Sequence, residues 1–271
     1  MQLFSSWTGS DFVLFYVIML GLATAAAWWI PANLRQPGRR GAPKDLEAMA
    51  LLSGGRSRFA DSLLADLYVR GGLVAADKGK LTVADTSLST SPAGKALLGT
   101  RTPISPGDAA KLLAPHADSV AARLQRAGLL LRPEEHARLR WLSITPFAVL
   151  LMIGLYRQRA GSVLGEPTGY LVALLVLTAG LALFRLVRSD PRTAAGVATL
   201  RELRARNNRI ARAPQAEEAA MAVALFGTGV LVGTPWEAVH TMRQQNGDGG
   251  GADGSSDGGG DGGGGCGGCG G

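Results

Sequence analysis

The chain has 271 residues, of which 46% are apolar and only 18% are charged, and its formal net charge is +7. This charge content is low for a soluble protein, and the apolar residues gather into a few uncharged runs. The 26 residues at the C-terminus include 16 glycines and cannot form a core. These features exclude a single soluble globular domain.

The first uncharged run covers residues 12–30 and is rich in Phe, Leu and Trp. A helix of this length rises about 28 Å, close to the hydrocarbon thickness of a bilayer. We therefore predict a retained transmembrane helix after a short extracytoplasmic segment, residues 1–11. A cleaved signal peptide is the alternative, but no Lys or Arg precedes the run, and it ends in Trp28, Trp29 and Pro31 instead of a small-residue cleavage site.

Two further uncharged runs, residues 141–156 and 167–184, follow each other closely. We predict a second and a third transmembrane helix joined by a tight turn, with two buried helices of a soluble domain as the alternative. A fourth run, residues 219–236, is rich in Ala and Gly, a composition that makes membrane insertion marginal. We expect it to form a helix at the membrane surface or against the other helices, with a fourth span as the alternative.

The basic residues indicate which side of the membrane each segment occupies. Residues 31–140 contain 17 Lys and Arg against 10 Asp and Glu, and residues 185–212 add eight arginines. Because basic loops stay on the cytoplasmic side, we predict an outside N-terminus, a cytoplasmic loop 31–140 and a cytoplasmic juxtamembrane helical region 190–245. The chain is then a multi-pass protein of a bacterial plasma membrane, and this topology explains most of its positive charge.

The loop 31–140 is long enough for a small domain and contains two similar helix ends. Residues 67–74 align with residues 123–130, and each block follows apolar residues at helical spacing. Gly72 and Gly128 are expected to adopt the left-handed conformation that ends a helix. We therefore predict two helical units in tandem.

Short motifs predict where other elements of this domain begin. Ser91-Pro92 and Ser105-Pro106 place a capping hydroxyl before a proline at the first helical position. Strands are expected at residues 73–76 and 81–83, joined by a turn in which Gly79 permits a positive φ. Helices followed by a hairpin are typical of winged-helix modules, so we predict a mainly α protein with a small winged-helix-like domain.

Some winged-helix modules bind DNA, and a membrane-tethered DNA-binding regulator is the second hypothesis for function. Its phosphate contacts would come from five basic residues: Arg56, Arg58, Arg70, Lys78 and Lys80. However, Asp61 and Asp66 lie on the helix that would read the groove, where carboxylates would face phosphate. We therefore expect a domain that binds protein or is purely structural.

Apolar residues recur at helical spacing among arginines after the third span. The basic residues of this segment are Arg201, Arg204, Arg206, Arg209 and Arg212. A basic amphipathic helix beside a membrane is attracted to anionic headgroups, so we predict that it lies on the inner leaflet. Packing against the loop domain through the same apolar stripe is the alternative.

The Gly-rich tail, residues 246–271, contains both cysteines of the chain, Cys266 and Cys269. Its composition predicts disorder, and two thiolates supply only half of a structural zinc site. Metal binding, covalent modification or thiol exchange through this pair is the third hypothesis. No other cofactor is predicted.

No residues form a recognisable catalytic set, because the three histidines lie far apart and no phosphate-binding glycine loop is present. The order of features resembles an uncharacterised family of bacterial membrane proteins. The resemblance rests on Leu-Ser-Gly-Gly-Arg at residues 52–56, Arg-Gly-Gly-Leu-Val at 70–74, Ala-Leu-Phe-Gly at 224–227 and the Gly/Cys tail. It implies an architecture and no activity. We expect a non-enzymatic scaffold or interaction protein with an unidentified protein partner.

Overall fold

The computed structural model describes residues 9–39, 41–43, 45–77, 79–100, 103–163 and 169–246. Within them the chain is mainly helical, as predicted, with one two-stranded sheet. The helices are α1 (Gly9–Leu34), α2 (Leu46–Val69), α3 (Pro92–Leu98), α4 (Pro106–Leu112), α5 (Ala114–Arg126), α6 (Pro133–Val163), α7 (Gly169–Val187), α8 (Ala194–Arg206), α9 (Asn208–Arg212), α10 (Ala219–Phe226) and α11 (Glu237–Gln245). The strands are β1 (Leu73–Ala76) and β2 (Lys80–Val83).

Three helices, α1, α6 and α7, are long and apolar enough to cross a membrane, and they match the three predicted spans. The helix α6 is much longer than the uncharged run 141–156 because the charged residues before that run continue the same helix. Exposed Trp28, Trp29 and Trp141 lie near one end of these helices. Tyr156 and Tyr170 are exposed near the other end. Aromatic residues at both ends of a helix bundle are typical of the two membrane interfaces.

The three long helices share a core of their own. The helix α1 contributes buried residues at helical spacing: Phe12, Tyr16, Leu20, Ala23 and Ala27. The hydroxyl of Tyr16 lies 3.1 Å from Oγ1 of Thr178 in α7. A Cβ on Gly154 of α6 would lie 2.8 Å from the Tyr16 ring and 2.7 Å from Leu175. The glycine therefore lets the helices approach closely, as small residues do in membrane bundles.

The helix α2 is the centre of the second core, which belongs to the domain outside the bundle. Most of its residues are buried, but its path breaks at Gly54 and Gly55, where Gly55 has φ +67°. The strands β1 and β2 pair antiparallel, as the predicted hairpin requires. On the other side of β2, Leu81 forms a bridge with Ile104.

The predicted caps and turn of the domain are confirmed. The hydroxyls of Ser91 and Ser105 accept hydrogen bonds from backbone N–H groups at the starts of α3 and α4. Gly79 has φ +63° in the hairpin turn.

The left-handed glycine was predicted correctly after α5 and wrongly after α2. Gly128 has φ +75°, but after α2 the positive φ of +79° belongs to Gly71 and not to Gly72. The difference arises because α2 ends at Val69, one residue earlier than the alignment with α5 implies. At both helix ends, the left-handed glycine and the residue after it nevertheless donate the same pair of backbone hydrogen bonds to carbonyls in the last turn of the helix.

The segment after the third span completes the core of the domain. The helix α10 packs along α2, and the core includes Ala219, Val223, Leu231, Val239 and Met242. With eight residues, α10 rises about 12 Å, too little to cross a bilayer. The fourth uncharged run therefore forms a buried helix and a 3₁₀ turn, and its packing against other helices is the outcome expected for it.

Candidate functional site at the membrane junction

Three connections link the bundle to the domain, and together they form what we call the junction: residues 35–39, 127–132 and 188–193. Their backbones bond to one another and to the start of α8. At the start of α8, the N–H of Ala194 donates to the carbonyl of Gln36 at 3.0 Å, and the N–H of Ala195 donates to that of Pro37 at 2.9 Å. Between the other two connections, the N–H of Leu131 donates to the carbonyl of Pro191 at 2.9 Å, and the N–H of Thr193 donates to that of Leu129 at 3.1 Å. The connections of all three spans are thus tied into one unit.

Close approach at the junction depends on glycine and on one threonine. Gly38 has φ +68°, and a Cβ there would lie 2.3 Å from the carbonyl oxygen of Gly128. The hydroxyl of Thr193 donates to that same oxygen at 2.8 Å and accepts from the N–H of Gly196 at 3.0 Å. Thr193 therefore caps α8 and holds the connection between α5 and α6.

A cavity of about 480 Å³, which we call the arginine cavity, opens beside the junction. Its lining includes Arg39, Arg126, Arg132 and Glu135. These residues were not predicted to form a site, because Arg39 lies far along the chain from Arg126, Arg132 and Glu135. One signal was available, since Arg39 and Arg132 each lie nine residues from an uncharged run.

A second cavity, of about 420 Å³, lies at the break in α2 and has a more apolar lining. Arg192 crosses from the junction to donate to the carbonyl of Ser53 at 2.5 Å. The hydroxyl of Ser53 in turn donates to the carbonyl of Ala224 in α10. These bonds give Ser53 the structural role of joining α2, α10 and the junction.

A polar cluster closes the end of the bundle that faces the domain. Arg35 forms an ion pair with Asp190 at 3.2 Å, and Arg185 donates to the carbonyl of Ala27 at 3.1 Å. His136 lines a cavity of about 50 Å³ beside them. This cluster ties the end of α1 to the end of α7.

The five residues of the DNA-binding hypothesis fall in different settings. Arg56 pairs with Asp118 at 2.5 Å, and Arg70 pairs with Asp66 at 3.2 Å. Arg58 donates to a backbone carbonyl of α10, Lys80 is half-buried at the start of β2, and Lys78 lies outside the described residues. The helix that would read the groove is α2, and its burial in the core does not favour the hypothesis, which stays a prediction.

The arginines predicted to face the membrane surface also divide into groups. Arg204 donates to the carbonyl of Leu225, whereas Arg206 and Arg209 pair with Glu202 and Glu218. Arg201 and Arg212 are exposed. The apolar stripe of α8 packs on the domain through buried Leu200, so the helix combines a packed face with a basic face.

The predicted metal or thiol site lies outside the described residues, because Cys266 and Cys269 belong to the tail. Among the residues that the structure does describe, no group of three or more His, Cys, Asp or Glu side chains could hold a metal ion. No protein-family model, curated protein or solved structure matches the chain. The resemblance to a family of bacterial membrane proteins therefore stays a prediction.

Proposed function

We propose that the chain is a non-enzymatic scaffold of a bacterial plasma membrane that holds a small winged-helix-like domain against the inner leaflet. The observation that carries this proposal is the junction, where backbone hydrogen bonds join the connections of all three spans. A domain on a flexible linker would need none of these bonds. A fixed domain presents the same surface to the cytoplasm at all times, which suits a protein that positions a partner.

The packing of α10 on α2 supports the proposed topology. The helices α2 and α10 are separated in the chain by the second and third spans, and an even number of intervening spans brings both to the same side of the membrane. The excess of Lys and Arg in these parts favours the cytoplasmic side. On that side, the exposed arginines of α8 would face anionic headgroups.

Membrane extraction and cysteine labelling test the topology. The protein should stay in the pellet after alkaline carbonate extraction, and an impermeant maleimide should label Cys266 and Cys269 only after the cells are permeabilised. For the opposite side, Ser6→Cys in a chain with both native cysteines changed to serine should be labelled in intact cells. Release by carbonate, or labelling of the native cysteines in intact cells, would contradict the proposal.

Distance measurements test whether the domain is held rigidly. Spin labels at exposed Leu112 and Val176, in the chain with both native cysteines changed to serine, should give one narrow distance distribution. Gly38→Val, which places a side chain against the carbonyl of Gly128, should broaden it. Gly41→Val is the matched control, because a Cβ there meets no atom within 4 Å. A broad distribution in the otherwise unaltered chain would remove the scaffold argument.

A further inference from the structure

The arginine cavity brings together three cations, one from the connection after α1 and two from the two ends of the connection between α5 and α6. Arg39 follows α1, Arg126 ends α5 and Arg132 precedes α6. Uncharged hydrogen-bonding groups of Gln36, Gln125 and Thr193 also line the cavity. The volume of about 480 Å³ is within the usual range of ligand cavities.

The cavity carries an excess of positive charge. Three guanidinium groups and the carboxylate of Glu135 leave a charge of +2, and this carboxylate already accepts the backbone N–H of Arg132 at 3.2 Å. In the described part of the chain, no ion pair joins the three guanidinium groups to an acid. By contrast, Arg123, one turn before Arg126, pairs with Asp45 at 3.1 Å. The cavity therefore has the electrostatics of an anion site.

The cavity lies on the side of the domain that faces the membrane. Arg132 directly precedes α6 and lies nine residues before Trp141, whose exposed indole marks the interface. At 1.5 Å per residue, Arg132 is about 13 Å further from the hydrocarbon than Trp141. The headgroup layer extends about 5–8 Å beyond the hydrocarbon, and an arginine side chain reaches several ångströms further. Lipid phosphates are therefore within reach of the cavity.

We propose that the arginine cavity binds the phosphate group of an anionic phospholipid of the inner leaflet. Guanidinium groups suit this ligand because their N–H groups donate to phosphate oxygens in pairs. Basic pockets at the cytoplasmic ends of membrane helices are known to bind such headgroups. The inference rests on the proposed function, since it requires the domain to lie at the inner leaflet. A bound headgroup would bridge the connections of the first and second spans and strengthen the junction.

The test is the binding of phosphatidylglycerol to the full-length protein in detergent micelles, followed by native mass spectrometry. Phosphatidylcholine, which has no net charge, should bind more weakly. The triple variant Arg39→Gln, Arg126→Gln, Arg132→Gln should bind phosphatidylglycerol about tenfold more weakly or worse.

The matched control removes three cations that pair with acids outside the arginine cavity: Arg56→Gln, Arg70→Gln, Arg123→Gln. Its affinity should change less than about twofold, because exposed paired charges contribute little. Equal losses of affinity for phosphatidylglycerol in the two triple variants would overturn the proposal, since they would show that the lipid is attracted to the positive charge of the protein in general and not to this cavity.

A second measurement uses the unaltered chain and does not depend on the folding of any variant. A photoactivatable phosphatidylglycerol should crosslink to residues 36–39 or 125–135, and labelling confined to α8 would overturn the proposal. Inorganic phosphate at millimolar concentration should not displace the lipid; displacement would assign the site to a soluble phosphate and overturn the lipid assignment. Carbonate extraction and cysteine labelling test the membrane topology of the proposed function separately, so failure of the lipid site and failure of the proposed function are distinguishable.

Discussion

At the scale of single residues, glycine determines how closely the connections approach at the junction. Gly196, in the first turn of α8, lies against the backbone of Leu129, and a Cβ there would be 2.2 Å from the carbonyl oxygen. That oxygen also accepts the N–H of Thr193 at 3.1 Å. Because hydrogen bonds hold both backbones, neither can move aside at low cost.

We predict that Gly196→Ala lowers the free energy of unfolding by about 2 kcal/mol through this overlap, although alanine is favoured over glycine inside a helix by about 1 kcal/mol. Thermal melting of the detergent-solubilised protein measures the change. Gly180→Ala in α7 is the control, since a Cβ there meets no atom within 4 Å, and it should not lower the midpoint. An unchanged midpoint for Gly196→Ala would show that α8 does not lie against Leu129.

The caps of α3 and α4 differ in a way that pH reveals. The hydroxyl of Ser105 donates to Asp108 at 2.7 Å, and this hydrogen bond lowers the pKa of the Asp108 carboxyl. A carboxyl with a depressed folded pKa contributes stability above its unfolded pKa, and that contribution is lost as the pH falls through the folded value. Ser91 caps α3 beside Gly94, so no carboxyl takes part there.

We expect Ser105→Ala to cost about 1 kcal/mol of unfolding free energy at neutral pH, as the loss of a helix cap does. Its difference from the unaltered protein should shrink as the pH falls below about 4. Ser91→Ala removes a cap without an acid, so its cost should stay constant over the same range. Urea titrations across this range measure both costs, and parallel pH dependence in the two variants would contradict the role assigned to Asp108.

At the scale of elements, a partly buried ion pair holds α11 against α2. Arg243 lies 3.4 Å from Asp61 and also donates to the hydroxyl of Ser57. The side chain of Asp61 is only 8% exposed. Removal of this cation would therefore take one charged partner from a carboxylate that water solvates poorly.

We predict that Arg243→Met destabilises the domain by about 2 kcal/mol, because the apolar replacement keeps the volume and removes the charge. Arg206→Met is the control, since Arg206 forms an exposed pair with Glu202 one turn away. Its cost should be about 0.5 kcal/mol or less. Denaturant unfolding measures both, and equal costs would mean that α11 is held by its apolar contacts alone.

Elements that depend on a local pattern were predictable from the sequence. The spans follow from uncharged runs, and the starts of α3 and α4 follow from their Ser-Pro pairs. For α10, packing against other helices was one of the expected outcomes, but its burial against α2 could not be singled out, because eight apolar residues also resemble part of a marginal span and only contact with α2 decides between the two. The backbone hydrogen bonds of the junction left no sequence signal either, since bonds such as that from Ala194 to Gln36 join main-chain atoms that every residue carries.

At the scale of the whole molecule, one domain is built from two parts of the chain that the second and third spans separate. Residues 35–132 supply α2 to α5, and residues 194–246 supply α8 to α11. The first part alone leaves the face of α2 that packs on α10 without a covering element. The domain therefore depends on the return of the chain through the membrane.

This dependence predicts opposite effects for two truncations. A chain that ends after residue 213 loses Val223, Leu231, Val239 and Met242 from the core, so its domain should unfold and be digested rapidly by protease while the three spans stay in the membrane. A chain that ends after residue 246 keeps this core and should melt at the temperature of the full chain. If the shorter chain also kept the full melting temperature, the core would close without α10 and α11. The topology inferred from their packing would then rest on charge alone.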